Sequence, residues 1–325
     1  MTPRENMAAA IRFETPCRIP RTLPDPYGTD ITWTGMDPTV DGRPDASKGP
    51  ATDEWGSVWV NIGVSSLGEV KEPALKDWDD FDKLTVPDIR DDARWARLEG
   101  ARRDAGDKFL MGGGVSLYER VHFLRGLEGA WTDIYEHPEE LRRLIDILVD
   151  MNLHAVQRYA DAGCDGFFFC DDWGLQDRLM IDPAKFREIW RPAYARVYGA
   201  AHEAGMLTLL HSCGEITAIL DDLIEAGLDV IQMDQQENMG LERLGRQWGG
   251  RMTFWCPVDI QRTMARGNTE EIRAYVRKMI GHLARAEGGF IAGYYGDRRA
   301  AGHSDQAVQA MCDEFMKAGC ADCEN

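Results

Sequence analysis

The sharpest chemical feature of the sequence is a histidine and a cysteine two residues apart, in His211-Ser212-Cys213. Residues i and i+2 of an extended chain project from the same face, so both side chains can reach one ion. An imidazole and a thiolate together suit Zn²⁺, and a catalytic zinc needs one further protein ligand and one open position. The pair is equally compatible with a buried, hydrogen-bonded histidine beside an inert cysteine.

Several residues are candidates for the third zinc ligand. We prefer Cys256, because it adds a second thiolate at the end of another predicted strand. The other candidates are Glu215, Asp297 and His303. The choice among them decides whether the centre is rich in sulfur or in oxygen and nitrogen.

A pair of carboxylates, Asp171-Asp172, directly follows the apolar segment Gly166–Cys170. Two carboxylates buried near each other tend to have separated pKa values, which equips one of them as an acid or a base. We therefore predict a catalytic role for Asp171 and Asp172. The alternative is that one of them caps the turn that follows.

A cluster of charged residues occupies the predicted helix 117–126, with Glu119, Arg120, His122 and Arg125. Arg120 is predicted to bind a carboxylate or phosphate of the substrate. A solvated helix laced with salt bridges is the alternative interpretation of this pattern.

Other motifs carry little weight. Cys320-Ala321-Asp322-Cys323 has the spacing of a metal site, but it lies two residues from the end and has no second pair nearby, so we expect a frayed tail. The sequence contains neither a Gly-x-Ser-x-Gly nucleophile elbow nor a Walker A loop.

Strands and helices must alternate to position these residues. The predicted strands are 108–115, 165–170, 206–211, 229–233, 252–256 and 289–294, with shorter pieces at 31–33 and 57–62. The predicted helices cover 3–13, 89–105, 117–126, 128–135, 138–162, 183–204, 216–226, 240–248, 269–286 and 304–318. This alternation predicts an α/β fold with a parallel sheet. No Gly-x-Gly-x-x-Gly supports a dinucleotide-binding sheet, so we favour a (β/α)₈ TIM barrel.

The predicted architecture is one barrel domain over residues 1–325, in which 1–56 form an N-terminal helix and an irregular extension rich in Pro and Gly. Active sites of such barrels lie at the carboxyl ends of the strands, and nearly every predicted strand end carries polar or ligating groups. On this basis the substrate pocket is expected to include Trp173, Gln235, Asp259 and Tyr294.

The composition restricts the partners. The 325 residues carry a formal net charge of −18, which argues against nucleic acids and anionic membranes because both are bound by clustered cations. Thr2-Pro3-Arg4-Glu5 has the pattern of a helix capping box rather than of a signal peptide. We therefore expect a cytoplasmic protein whose eight cysteines are reduced thiols.

Taken together, these motifs resemble the uroporphyrinogen decarboxylase superfamily. The resemblance rests on Asp171-Asp172-Trp173-Gly174, His211-Ser212-Cys213-Gly214 and Asp229-Val230-Ile231, and on the N-terminal runs Thr2-Pro3-Arg4-Glu5, Arg18-Ile19-Pro20 and Asp53-Glu54-Trp55-Gly56. It covers nearly the whole chain. It implies the (β/α)₈ barrel, a small-molecule substrate and a homodimer.

The superfamily contains two chemistries. True uroporphyrinogen decarboxylases use no metal and bind an octa-carboxylate through an Arg-Gln-Ala-Gly-Arg-Tyr motif, which this sequence lacks. The zinc-dependent methyltransferases move a methyl group between a corrinoid protein and a thiol such as coenzyme M, and they carry His-x-Cys with a later cysteine near the last strand. His211 and Cys213 match that pattern, whereas the last strand ends in Tyr294-Tyr295-Gly296-Asp297, without a cysteine.

The resemblance therefore favours a zinc-dependent methyltransferase with His211, Cys213 and Cys256 as ligands and a corrinoid as methyl carrier. In that reaction Asp171 or Asp172 would orient the thiol or relay a proton. One alternative is a metal-free decarboxylase of a tetrapyrrole or a smaller acid, using Arg120 and one of the two aspartates. Another is a barrel that binds a ligand without catalysis.

Overall fold

The structure is a computed structural model that describes residues 1–40, 44–46, 49–61, 68–298 and 301–319. The first helix, α1 (Pro3–Arg12), begins with the predicted capping box, in which Thr2 and Glu5 bond to each other's backbone N–H. The predicted cysteine pair at 320 and 323 lies outside the described residues.

From residue 108 onward the remaining elements follow the predicted alternation, whereas the strands at 51–52 and 68–72 were not predicted. The strands are β1 (Ile31–Thr34), β2 (Ala51–Thr52), β3 (Val58–Asn61), β4 (Gly68–Glu72), β5 (Phe109–Gly113), β6 (Gly166–Cys170), β7 (Leu207–His211), β8 (Val230–Gln232), β9 (Thr253–Cys256) and β10 (Phe290–Ala292). The helices are α2 (Ala101–Ala105), α3 (Glu119–Arg125), α4 (Leu127–Glu136), α5 (Pro138–Asp161), α6 (Pro183–Lys185), α7 (Arg191–Glu203), α8 (Leu220–Ala226), α9 (Leu241–Gln247), α10 (Thr263–Arg266), α11 (Thr269–Leu283) and α12 (Asp305–Gly319).

Three predicted helices are shorter or more irregular than expected. The predicted helix 183–204 contains a π-helical stretch, Phe186–Trp190, between α6 and α7. The segment 89–105 forms a 3₁₀ helix (Asp92–Leu98) and then α2, with Gly100 at a positive φ between them. The helix predicted from 216 begins only at Leu220. No helix in the described ranges combines the length and the apolar character that a membrane span requires.

Seven strands form one parallel sheet in the order β1-β5-β6-β7-β8-β9-β10. The gap between β10 and β1 is bridged by a short segment around Arg21, which pairs with Ala292 of β10 and accepts a hydrogen bond from the N–H of Asp30 just before β1. The sheet therefore curls into the predicted TIM-barrel-like fold, with residues 20–22 taking the place of a full eighth strand.

Side chains alternate between the inside of the barrel and the helical layer outside it. On β9 and β10, Trp255 and Ile291 pack inside, whereas Cys256 and Ala292 pack outside with the helices. The inner cluster also contains Met7, Ile11, Ile31, Phe109, Met111, Leu207, Leu209 and Val230. Because successive residues of a strand point to opposite faces, the parity of a position decides which environment its side chain enters.

The strands β2, β3 and β4 form a small antiparallel sheet. This sheet packs against helix α3. The ring of Trp59 meets Phe123 of α3 at 4.7 Å, and Ser57 Oγ donates to the carbonyl of Phe123. Of its strands, only β2 lies within the predicted extension 1–56, and the contacts around β3 fix the outer face of the helix that starts at Glu119.

Candidate active site

The site is built around His211, the last residue of β7. Its Nδ1 bonds to Gln232 Oε1 on the neighbouring strand β8, and Gln232 Nε2 donates to Asp234 Oδ1 at 2.8 Å. An amide oxygen accepts hydrogen bonds, so this contact places the proton on Nδ1 and leaves Nε2 with a free lone pair. Such an outer hydrogen bond is what fixes the tautomer and orientation of a metal-binding histidine.

Three potential ligand atoms converge beside that Nε2 atom. The donor atoms of Asp172, His211 and Cys213 all lie within 4.8 Å of one another. His211 Nε2 is 3.4 Å from Cys213 Sγ and 3.4 Å from Asp172 Oδ1. Tetrahedral zinc with ordinary bond lengths separates its ligand atoms by roughly 3.4–3.6 Å. An imidazole, a thiol and a carboxylate at these separations fit a zinc ion.

Two glycines allow the strand ends that carry these ligands to approach each other. Gly214 has φ +82°, and a Cβ on it would lie 2.2 Å from the carbonyl oxygen of Gly174. The N–H of Gly174 in turn donates to the carbonyl of Cys213. Asp172 Oδ1 accepts from the Cys213 N–H at 2.7 Å, which fixes the carboxylate beside the thiol. The close approach explains why glycine ends both four-residue motifs.

The electrostatics of the centre are dominated by carboxylates. Burial alone would lower the pKa of His211, but Asp172, Asp234 and the hydrogen bond to Gln232 raise it above its ordinary value. Burial, with the charges of Asp172 and Asp234, holds the pKa of the Cys213 thiol well above its usual range. A thiol in such surroundings stays protonated unless a cation offsets the negative charge, which a bound metal would do.

Asp171 lies on the other side of the chain from Asp172. It is fully buried, and its carboxylate accepts hydrogen bonds from the backbone N–H groups of Leu117, Tyr118 and Glu119 and from Tyr194 Oη. Burial raises its pKa to about 7, against the effect of these four hydrogen bonds. The geometry makes Asp171 the anchor of α3, while Asp172 forms the candidate metal-binding group together with His211 and Cys213.

Cys256, our preferred third ligand, is not part of the group that the structure brings together. It is fully buried and packs in the outer cluster, because its neighbour Trp255 takes the inward position on β9. Burial, followed by the charge of Asp234, raises the pKa of its thiol above the ordinary range. The structure therefore places Asp172, rather than Cys256, beside His211 and Cys213.

The other candidate ligands also have partners elsewhere. Glu215 accepts hydrogen bonds from the N–H and the hydroxyl of Thr217. His303 Nε2 bonds to the carbonyl of Ile260 at 2.8 Å. Asp297 lies close enough to Tyr295 for its charge to act on the pKa of that phenol. Among the described residues, none of the three belongs to the candidate metal-binding group.

The predicted substrate-binding residues on the outer face are buried in the framework. The Arg120 side chain is inaccessible to solvent and forms an ion pair with Asp53 at 3.2 Å. Trp173 is fully buried, stacks on Tyr118 at 3.7 Å and donates from Nε1 to Tyr194 Oη. Because both side chains are enclosed by protein, the structure does not present them to a substrate.

The other three residues predicted to line the pocket, Gln235, Asp259 and Tyr294, also contact the protein framework. Gln235 Oε1 accepts from the Gly214 N–H, so it supports the loop that carries Cys213. Asp259 is buried and accepts from the N–H groups of Arg262 and Thr263 at the start of α10. Tyr294 packs against the outer cluster. These contacts organise the loops around the site.

Two residues that the sequence did not single out as lining the site are coupled electrostatically to it. The carboxylate of Glu119 contributes to the raised pKa values of His211 and Cys213. Burial and the charges of Asp234, Asp297, Cys213 and Asp172 raise the pKa of Tyr295. Strand parity could have found Tyr295, because it has the same parity as the inward-facing Ile291.

Comparison with known proteins gives the family. No curated protein matches the sequence. A methyltransferase from Methanosarcina mazei has a similar structure, with a TM-score of 0.65 at 16% identity over 98% of this chain and 99% of that chain. A B12-independent methionine synthase from Shewanella sp. W3-18-1 is more distant, with a TM-score of 0.43 at 13% identity over 68% of this chain and 66% of that one.

The similarity to the Methanosarcina mazei structure confirms the TIM-barrel-like fold. The family model for uroporphyrinogen decarboxylase (URO-D) matches residues 58–297, which span β3 to the end of the barrel and include every member of the candidate metal-binding group. The chain therefore belongs to the uroporphyrinogen decarboxylase family.

Proposed function

We propose that this protein is a zinc-dependent methyltransferase that moves a methyl group between a methyl donor, such as a corrinoid, and a thiol. The observation that carries the proposal is the convergence of His211 Nε2, Cys213 Sγ and an Asp172 carboxylate oxygen within 4.8 Å. Three protein ligands leave a fourth position of a tetrahedral ion open, as catalytic zinc sites require. The structural neighbour described as a methyltransferase supports the proposal only as an example of this architecture in an enzyme of that class.

In this mechanism, bound zinc would lower the pKa of the substrate thiol, so that a thiolate exists near neutral pH. The thiolate sulfur forms a bond to the methyl carbon while the bond from that carbon to the donor breaks, and the donor keeps the electron pair. Gln232 holds the imidazole of His211 in the required tautomer, and the Cys213 N–H fixes Asp172. Asp171 acts at a distance by anchoring the start of α3 through the backbone N–H groups of Tyr118 and Glu119.

The metal-free decarboxylase has weaker support, although membership of the family fits either reaction. It would use Arg120 and one of the aspartates. Arg120 pairs with Asp53 out of reach of solvent, and all the donors around Asp171 are structural. An arginine that is already neutralised by a buried carboxylate is poorly placed to hold a substrate acid.

The proposal is tested by methyl transfer from methylcobalamin to a simple thiol, with zinc removed by a chelator and then restored. We expect activity to disappear with the metal and to return with zinc. The same preparations are assayed for CO₂ release from uroporphyrinogen. Activity that is indifferent to chelation, or decarboxylation without methyl transfer, would overturn the proposal.

A further inference from the structure

A buried tyrosine of the helical layer is bonded to both neighbours of Asp172 in the sequence. We propose that Tyr194 of α7 is a positioning residue that fixes Asp172 beside His211 and Cys213, although it belongs to the layer outside the sheet. This inference rests on the proposed function, because it concerns the metal centre, and it extends that centre to a helix of the outer layer.

The hydroxyl group of Tyr194 joins the two residues that flank Asp172. Its Oη donates a hydrogen bond to Asp171 Oδ2 at 2.6 Å and accepts one from Trp173 Nε1 at 2.9 Å. All three side chains are fully buried, so water does not compete for these bonds. Because one oxygen holds the side chains before and after Asp172, the backbone between them has little freedom to redirect the carboxylate.

The ring of Tyr194 is fixed against the strand that leads to Asp172. It stacks on Phe169 of β6, with the ring centroids 5.7 Å apart and an angle of 20° between the ring planes. Both rings are buried in the core cluster between the sheet and the helices. Because a buried, close-packed ring has few alternative rotamers, its hydroxyl oxygen stays at the carboxyl end of β6.

Hydrogen bonds to β7 and its end hold the same two neighbours at the backbone. The Asp171 N–H donates to the carbonyl of His211 at 2.9 Å, and the Trp173 N–H donates to Ser212 Oγ at 3.1 Å. These bonds set the distance of the segment from β7, while the bonds to the Tyr194 hydroxyl set the direction of its side chains. Loss of that hydroxyl should therefore loosen Asp172 without separating the two strands.

Tyr198 of the same helix provides an internal control. It is also fully buried, and its ring stacks on Tyr194 at 5.5 Å and on Phe169 at 5.8 Å. Within the described part of the chain, however, its Oη has no hydrogen-bond partner. Replacing either tyrosine with phenylalanine removes one buried hydroxyl from the same packed cluster, but only the change at Tyr194 breaks bonds to the neighbours of Asp172.

The test compares Tyr194→Phe with Tyr198→Phe in the full-length protein, with Co²⁺ as the probe of the metal centre. Affinity is measured by competition with a chelator, and the visible absorption of the bound Co²⁺ reports its coordination geometry. We expect Tyr194→Phe to bind Co²⁺ about tenfold more weakly than the unmodified protein and to alter the spectrum, because Asp172 is no longer held in place. Tyr198→Phe should match the unmodified protein in both measurements.

Denaturant unfolding of the metal-free proteins separates this role from a contribution to stability alone. A Tyr194→Phe protein that unfolds more easily but keeps the affinity and spectrum of the unmodified protein refutes the inference and leaves the proposed function standing, and so does equal weakening in both variants. If Tyr194→Phe does not fold, Trp173→Phe removes the indole N–H from the same hydrogen bond and must show the weaker Co²⁺ binding. An unmodified protein that binds no Co²⁺ refutes the inference together with the metal centre on which the proposed function depends.

Discussion

The inward and outward faces of the same strand ends do different work. On the inward face the potential ligand atoms of Asp172, His211 and Cys213 lie within 4.8 Å of one another, and the charge of Asp172 raises the pKa of His211. On the outward face lie Asp171 and Cys256, which carry the same functional groups as Asp172 and Cys213. Both are fully buried and contact only other protein groups. Residue type alone therefore does not identify the site. The alternation of side chains along a strand decides which aspartate and which cysteine point toward the inside of the barrel.

The largest expected difference is between replacing the inward cysteine and replacing the outward cysteine with alanine. Cys213→Ala should lose zinc and lower kcat/KM for methyl transfer by about a thousandfold or more, because it removes a metal ligand. Cys256→Ala should keep its zinc and most of its activity, and lose about 1–2 kcal/mol of unfolding free energy from the small cavity. Zinc analysis, steady-state kinetics and denaturant titration measure these quantities. Equal loss of zinc in both variants would erase the distinction between the faces.

The two aspartates give the next effect, with the consequences reversed. Asp171→Asn should destabilise the fold by about 2–4 kcal/mol, because an amide cannot accept all four buried hydrogen bonds. Asp172→Asn should leave the unfolding free energy nearly unchanged and weaken zinc binding by about a hundredfold. Thermal unfolding of the apo forms, together with competition against a zinc chelator, separates the two. A stable Asp171→Asn protein with defective catalysis would instead favour a chemical role for Asp171.

The smallest effect concerns the orientation of His211. Gln232→Ala removes the oxygen that accepts the hydrogen bond from the Nδ1–H of His211. It should lower zinc affinity by about tenfold while leaving the ligand set intact. Gln235→Ala is the matched control, since the Gln235 side-chain oxygen accepts from the Gly214 N–H rather than from the imidazole. Zinc affinity is measured with a chromophoric chelator. If the two variants are indistinguishable, the orientation of His211 does not depend on Gln232.

Much of the fold was predictable because hydrophobic patterning and caps are local signals. The capping box at Thr2, the strand Gly166–Cys170 and the long helix α5 were all expected close to their observed bounds. The closed barrel was predicted, but the part that residues 20–22 take in closing it was not, because they form only single bridges and carry no strand pattern. Short pairings of this kind depend on tertiary context rather than on propensity.

The site was predictable only in part, for a related reason. His211 and Cys213 share one strand end, so their spacing alone predicted that they meet. The third member of the group, Asp172, comes from another strand, and its position depends on register and on which face each residue takes. Counting parity outward from the apolar residues would have favoured Tyr295 over Tyr294 and Asp172 over Asp171. Glu119 gave no such signal, because α3 is placed by Asp171 and not by its own sequence.

X-ray absorption at the zinc edge of the loaded protein tests the central claim most directly, because it counts the sulfur atoms bound to the metal. The inward face supplies one thiolate, one imidazole and one carboxylate, so we predict a single sulfur at about 2.3 Å with the remaining ligands nitrogen or oxygen near 2.0–2.1 Å. Two sulfur ligands would show that Cys256 reaches the metal from the outer face, and no sulfur would remove Cys213 from the centre. Either count contradicts a metal centre formed by Asp172, His211 and Cys213.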